Sequence, residues 1–429
     1  MVADTITMNS KVKAANVIMD SFNTLEVTQR LNATNNGYVD LRTYNDAADI
    51  SLQADLMVSS GANSDGQGSG WVRMVSADGS ILNDNASEIL AAESVLQMRA
   101  HNSLGTAANP LLTTVSDMTA VTDAAGSGNV VIRESDDLTL ETQQSLSDVE
   151  NPGFVVDSSR GEDFWESVAD SDGNEIVAWD DAASSDWLNL IQSGRTDYAL
   201  EVGNGNLDLT LLERDALLTL ETGDIHGLAA RADLYLTADD MDFKSGIDAQ
   251  GAELPFDQID YSTSEHKIHS TGDLIICSYH DDINYRIGTS AELSSGDDRT
   301  AQGDDGHLDL SLRDMAAIDN NFNLVSIGHE NPENSMRIGD VEDATEVKYT
   351  KLSREINGAL RNQTRFYADS LYIEGDLRAP VDRVEFYADR VEVNSQNVHD
   401  PMGLPDSGVT AREIDFDVDE QMVVSGWLM

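Results

Sequence analysis

The feature that most constrains this chain is a short-period alternation of apolar and polar residues. It is densest in Leu207–Phe243, LDLTLLERDALLTLETGDIHGLAARADLYLTADDMDF, where apolar alternations centre near Leu209, Leu218, Leu228 and Leu234, roughly nine residues apart, with polar breaks between them. Alternation over four to six residues marks a strand with one buried face. Many such strands with no long helix between them confine the chain to a solenoid, a barrel or a fibre. The fold class read from the sequence is therefore all-β: an elongated β-solenoid or an intertwined trimeric β-fibre, with a short helical segment near 86–100.

A repeated unit runs through the alternation: a small residue, an Asp, then apolar-x-apolar. It occurs at Ala48-Asp-Ile-Ser-Leu, Ala232-Asp-Leu-Tyr-Leu, Gly272-Asp-Leu-Ile-Ile, Ala368-Asp-Ser-Leu-Tyr-Ile and Ala388-Asp-Arg-Val-Glu-Val, with a relative at Asp136-Asp-Leu-Thr-Leu. Asp is expected to cap a tight turn through its side chain. A unit that cannot bury its face alone must stack on its neighbours or on another chain. A second motif ends in Ile-Gly: Tyr285-Arg-Ile-Gly288, Met336-Arg-Ile-Gly339 and Val325-Ser-Ile-Gly328.

Along the chain, strands are expected at Val17–Met19, Leu25–Val27, Tyr38–Leu41 and Ile50–Leu56. A Gly/Ser/Asn-rich loop at Ser59–Gly70 and the strand Trp71–Val75 follow. Ile89, Leu90, Val95 and Leu96 give Ala86–Ala100 a partly helical spacing with Ser87 as its cap. Residues 105–128, rich in Thr, Ala, Gly and Ser, read as an irregular connection. The resulting division is an N-terminal β-rich attachment region over 1–60, a loop-rich connector with a short helix over 61–128, a β segment with a Trp/Asp-rich insertion over 129–202, a β-repeat shaft over 203–395, and a C-terminal cap or tip over 396–429.

Charge sets the environment. The 429 residues carry 78 acidic and 26 basic side chains, a formal net charge of −52, and only six of the basic residues are Lys. Self-repulsion at that charge opposes compaction in dilute buffer, whereas molar salt cuts the screening length to about 3 Å. Abundant Asp, scarce Lys and a retained apolar fraction resemble the proteins of extreme halophiles, particularly haloarchaea and their viruses. A surface this negative repels phosphate, which argues against nucleic acid as a partner. Cys277 is the sole cysteine, so no intrachain disulfide forms. The first twenty residues lack a basic-then-apolar leader and no window approaches 18 consecutive apolar residues, so neither export nor membrane insertion is expected.

Residues suited to chemistry are few. His266, His269, Cys277 and His280 offer four nitrogen and sulfur ligands in paired two-residue spacings, compatible with tetrahedral zinc. Residues three apart on a strand face opposite sides, however. The expectation is that they do not jointly bind metal, and no cofactor is expected. Trp165, Trp179 and Trp187 alternate with acidic clusters in 162–187. They form either a small satellite core or an exposed recognition surface for stacking against sugars. The turn Asp170-Ser-Asp-Gly-Asn-Glu175 lacks the bidentate Glu of a calcium loop. There is no phosphate loop, GxSxG elbow or HExxH.

Runs such as SMRIGDVEDATEV and GNLDLTLLERDALLTLETGD resemble the β-repeat shafts of tailed-virus fibre and spike proteins and, less closely, the β-helical repeats of large adhesins, over about half the chain. The resemblance implies a non-enzymatic virion protein of a haloarchaeal tailed virus: a tail fibre, spike or capsid-surface fibre assembled in the host cytoplasm. Its implied partners are itself, as a homotrimer, other virion or tail proteins, and a host S-layer glycoprotein or glycan. The alternatives are a halophile surface adhesin and a β-helix polysaccharide lyase or hydrolase. Uneven repeat spacing favours three chains around one axis, with Leu209, Leu218, Leu234, Ile276, Ile373 and Val393 buried toward it.

Overall fold

The computed structural model describes residues 2–34, 37–45, 47–58, 71–122, 128–140, 198–220, 226–230, 232–243, 268–288, 307–330, 333–339, 362–373, 376–393, 408–424 and 427–428. It is mostly β, with parallel strands in large sheets and no barrel. Two compact units are present, Met1–Ile132 with Leu140–Gly203, and Arg133–Thr139 with Asn204–Met429. Among the described residues no helix is long and apolar enough to cross a membrane.

In the first unit the chain visits three rows of strands in rotation, and each strand pairs in parallel with the strand three later. One row runs Val2–Ala3, Val17–Ser21, Tyr38–Thr43 and Trp71–Ser76. The second runs Ile6–Thr7, Leu25–Val27, Ile50–Leu52 and Ile81–Asn83. The third runs Val12–Ala14, Leu31–Ala33 and Leu56–Val58. Parallel pairing needs a long return path, and the other two rows supply it.

The second unit repeats the arrangement. One inward ladder runs in register through Leu209, Leu236, Ile276, Ile327, Phe366, Phe386 and Phe416. The first six are fully buried, and the phenylalanines stack with centroids 5.6 and 4.8 Å apart. Among the described residues one six-residue helix, Leu312–Ala317, interrupts the strands. Ser311 and Asp314 cap it reciprocally: the Ser311 N–H donates to Asp314 Oδ2 at 2.8 Å and the Asp314 N–H to Ser311 Oγ at 3.3 Å.

In three copies the repeated small-Asp unit acts between circuits, whereas Asp369 accepts the hydroxyl of the adjacent Ser370 at 3.0 Å. The Asp49 carboxylate accepts the Ser80 N–H at 2.7 Å, Asp233 accepts that of Asp273 at 3.0 Å, and Asp137 accepts that of Leu217 at 3.0 Å. Each carboxylate thus holds the start of a strand in the neighbouring circuit. The residue before the Asp is small because its counterpart sits against it. A Cβ on Gly272 would lie 2.4 Å from the Ala232 carbonyl carbon, and one on Gly79 would lie 2.6 Å from that of Ala48. The Ile-Gly motif ends strands: Gly288, Gly328 and Gly339 all have left-handed φ, between 73 and 97°, the region glycine enters without strain.

Two expectations about the strands change. Ala86–Ala100 is not a helix, because Glu88–Ala100 is a 13-residue strand. Before residue 92 the odd positions Ile89 and Ala91 are buried; from residue 96 the even positions Leu96, Met98 and Ala100 are. A register shift between Ala91 and Val95 marks the swap, and a parity change in mid-strand imitates helical spacing. The irregular connection over 105–128 contains the strand Leu111–Thr122, where β-branched Thr favours extended backbone. Leu209, Leu218, Leu234, Ile276, Ile373 and Val393, expected to be interior, are fully buried within the chain itself. Uneven spacing is also compatible with one chain. Ile6, Leu25, Ile50 and Ile81 stand in one ladder although they lie 19, 25 and 31 residues apart, because the surplus falls between strands.

Candidate functional site

Three of the four sequence-nominated ligands are described, and each is held by a different partner. His269, on strand Ile268–Ser270, places Nδ1 2.9 Å from Asp319 Oδ2. Asp319 also accepts the Asn320 N–H at 2.6 Å and the Asn321 amide at 2.8 Å. Burial pushes its carboxyl upward, but these donors and His269 outweigh it and hold it below the usual carboxylate range. Cys277 Sγ lies 3.3 Å from Thr237 Oγ1, its register partner. Burial raises the thiol, which keeps it protonated and a poor ligand or nucleophile. His280 Nδ1 bonds Asp239 Oδ2. His266 lies outside the described residues, as do Trp165, Trp179 and Trp187. Among the described residues no group of three or more His, Cys, Asp or Glu is arranged to hold a metal ion.

His280 opens onto a cluster that the motif search missed. Asp239 is 1% exposed and accepts the Tyr279 and His280 N–H groups on Oδ1, both at 2.9 Å, and the Asp215 N–H on Oδ2 at 3.2 Å. Beside it, the fully buried Ser278 and Tyr285 form a chain. The Ser278 N–H donates to Tyr285 Oη at 2.8 Å, the two hydroxyls are 2.9 Å apart, and Ser278 Oγ donates to the His280 carbonyl at 3.0 Å. Burial raises the Tyr285 phenol. His329 Nε2 is 2.7 Å from the Ser278 carbonyl and 3.5 Å from Ser278 Oγ. Nε2 must carry its proton to donate to that carbonyl, so it cannot serve as a base toward the hydroxyl. Serine, histidine and aspartate thus lie close together, but Ser278 Oγ donates to the His280 carbonyl and His329 Nε2 to the Ser278 carbonyl, an arrangement that locks a corner and leaves the hydroxyl without a base. A sequence signal existed in the Ser278–Tyr279–His280 run, but nothing local pointed to its partner 51 positions on.

The first unit holds a denser group of charges. Asp40, 1% exposed, faces two guanidinium groups. Arg42 Nε donates to Oδ1 at 3.0 Å and Arg73 Nε to the same oxygen at 3.1 Å, while Nη2 of each bonds Oδ2. Asp20 receives the Tyr44 hydroxyl at 2.7 Å and has Arg42 Nε 4.0 Å away. The two carboxyls are driven apart. Burial raises Asp20 because one distant guanidinium compensates it poorly. Burial also pushes Asp40 upward, but Arg73 and Arg42 overcome it and hold the carboxyl well below its ordinary range. Divergent carboxyls are a signature of acid–base pairs, but here both belong to one network bridging successive strands of the same row.

Comparison with protein-family models, with curated proteins and with solved structures gave no match.

Proposed function

We propose that the protein is a β-solenoid structural component of a halophilic archaeal virus, a tail fibre, spike or capsid-surface fibre that contacts the host envelope. The observation that supports this reading is the use made of buried and half-buried carboxylates. Asp40, Asp239 and the cross-circuit Asp49 and Asp233 each accept donors from a neighbouring circuit or the strand beside it, so their chemistry goes into stacking. Ladders of this kind suit a rigid shaft, and the net charge of −52 suits assembly in molar salt. A homotrimer in this reading associates through outward faces, since each chain already encloses its own apolar ladder. Virion location and recognition of an S-layer glycoprotein or glycan belong to the same proposal.

The test is binding of labelled protein to haloarchaeal cell envelopes in 2 M KCl, with electron microscopy of the unbound protein. Saturable binding by a slender particle, competed by solubilised S-layer glycoprotein, is the expected result. Turnover of a polysaccharide without envelope binding would replace this reading with the lyase alternative.

A further inference from the structure

The strand Gly408–Val424 pairs along one side with Asp376–Val393. On its other side Trp427–Leu428 takes Gly408–Val409, and no described strand lies against Glu413–Val424. The C-terminal end of that edge is apolar. Met422, Val423 and Val424 are 38, 37 and 43% exposed, and half-buried Phe416 ends the seven-residue ladder. An uncovered strand edge of this kind is a template for another strand.

The first circuit presents a matching edge. Val12–Ala14 pairs with Leu31–Ala33 on one side, and no described strand lies on the other. Its inward residues Ile6 and Val12 are six positions apart, as are Leu25 and Leu31 above them. Phe416 and Met422 are also six apart, whereas their partners Phe386 and Val391 are five apart, the difference being taken up by a register shift after Ala388. The last circuit therefore departs from its predecessor and adopts the corner length of the first two. In one continuous register Ile6, Met8, Val12 and Ala14 fall on Phe416, Val418, Met422 and Val424.

Charge agrees with this register. Exposed Asp417, Asp419 and Glu420 surround the corner of one edge. Exposed Lys11 and Lys13, two of only six lysines in the chain, flank Val12 on the other. Lys11 falls one position from Glu420. Two copies of the acidic edge would instead set carboxylates against one another.

We propose that the Glu413–Val424 edge of one copy is the docking surface for the Ile6–Ala14 edge of a second copy. The contact is head to tail and parallel, hence heterologous. It rests on strand register and charge, not on the virion reading. The test uses two full-length populations in a Cys277→Ser background, one with Val12→Cys and one with Met422→Cys, mixed under mild oxidation in 0.5 M and 2 M KCl. The mixed 12–422 disulfide should dominate. Lys11→Glu with Lys13→Glu on the first population should lower its yield about tenfold at 0.5 M, and Asp419→Lys with Glu420→Lys on the second should restore it. These positions are exposed, so circular dichroism should be unchanged. Only 12–12 or 422–422 products, no mixed product at 100 μM, or a yield indifferent to charge reversal would each overturn the proposal.

Discussion

Neutralising the buried carboxylates Asp40 and Asp20, one at a time, should have opposite consequences. Asp40→Asn removes the charge that faces both Arg42 and Arg73, of which Arg73 is only 5% exposed. Breaking a buried ion pair costs about 3–5 kcal/mol. The amide oxygen still accepts one donor, so the expected loss is near the lower end, about 3 kcal/mol, or roughly 6–12 °C in melting temperature for a unit of this size. Asp20→Asn keeps the acceptor for the Tyr44 hydroxyl and relieves a carboxylate that burial already disfavours. Its effect should stay within about 1 kcal/mol, on the stabilising side. The acid response differs too. Asp40 has a depressed value in the fold, so its contribution is complete above the ordinary carboxylate range and disappears only as pH falls through that depressed value. Asp20 has a raised value, so the fold gains stability there as pH falls through it. Thermal melts in 2 M KCl from pH 7 to pH 4, with hydrogen exchange of Tyr38–Thr43, would check the two variants and the Asp20 gain, while the Asp40 contribution should stay intact across that range. Equal losses for the two variants, or a loss below about 1 kcal/mol for Asp40→Asn, would refute this reasoning.

Other outcomes follow from the same ladders. Melting temperature should climb steeply between 0.1 and 2 M KCl as repulsion among −52 charges is screened, and a flat profile would remove the halophilic assignment. Phe386→Ala, which empties a fully buried site between Phe366 and Phe416, should cost about 3–5 kcal/mol by denaturant titration, and Phe386→Leu distinctly less. Gly328→Ala should destabilise strongly in the same assay, because φ is 97° and the new Cβ would stand 2.1 Å from the Tyr367 carbonyl oxygen. Asp233→Ala should cost about 1 kcal/mol and raise the exchange rate of the Asp273 amide, whose acceptor it removes.

Period-two alternation made the strands legible. Leu25–Val27 matches its expected bounds, and the six shaft residues expected to be interior are fully buried. Pairing was not legible, because partners stand at irregular separations: Leu209 meets Leu236 after 27 residues, and Ile276 meets Ile327 after 51. Nothing local says that surplus residues fall between strands. Glu88–Ala100 misled for a related reason: a corner inside an unbroken strand shifts the alternation by one and produces adjacent apolar pairs. The small-Asp unit was visible as a recurrence, but its purpose was not, because the carboxylates of Asp49, Asp137 and Asp233 serve strands in another circuit. Asp40 and Arg73 were hidden differently. Among 78 acidic residues, nothing in the sequence distinguishes the carboxylate that is buried from those in solvent.

The central claim is that one chain stacks its own strands in parallel register. An experimental density map of the protein in 2 M KCl, resolved well enough to place side chains, tests it most directly. Leu209, Leu236 and Ile276 of the same chain should lie one above another at the ~4.8 Å spacing of paired strands, with the Asp233 carboxylate on the Asp273 amide. Antiparallel neighbours at these positions, or a ladder whose successive members come from different chains, would contradict it.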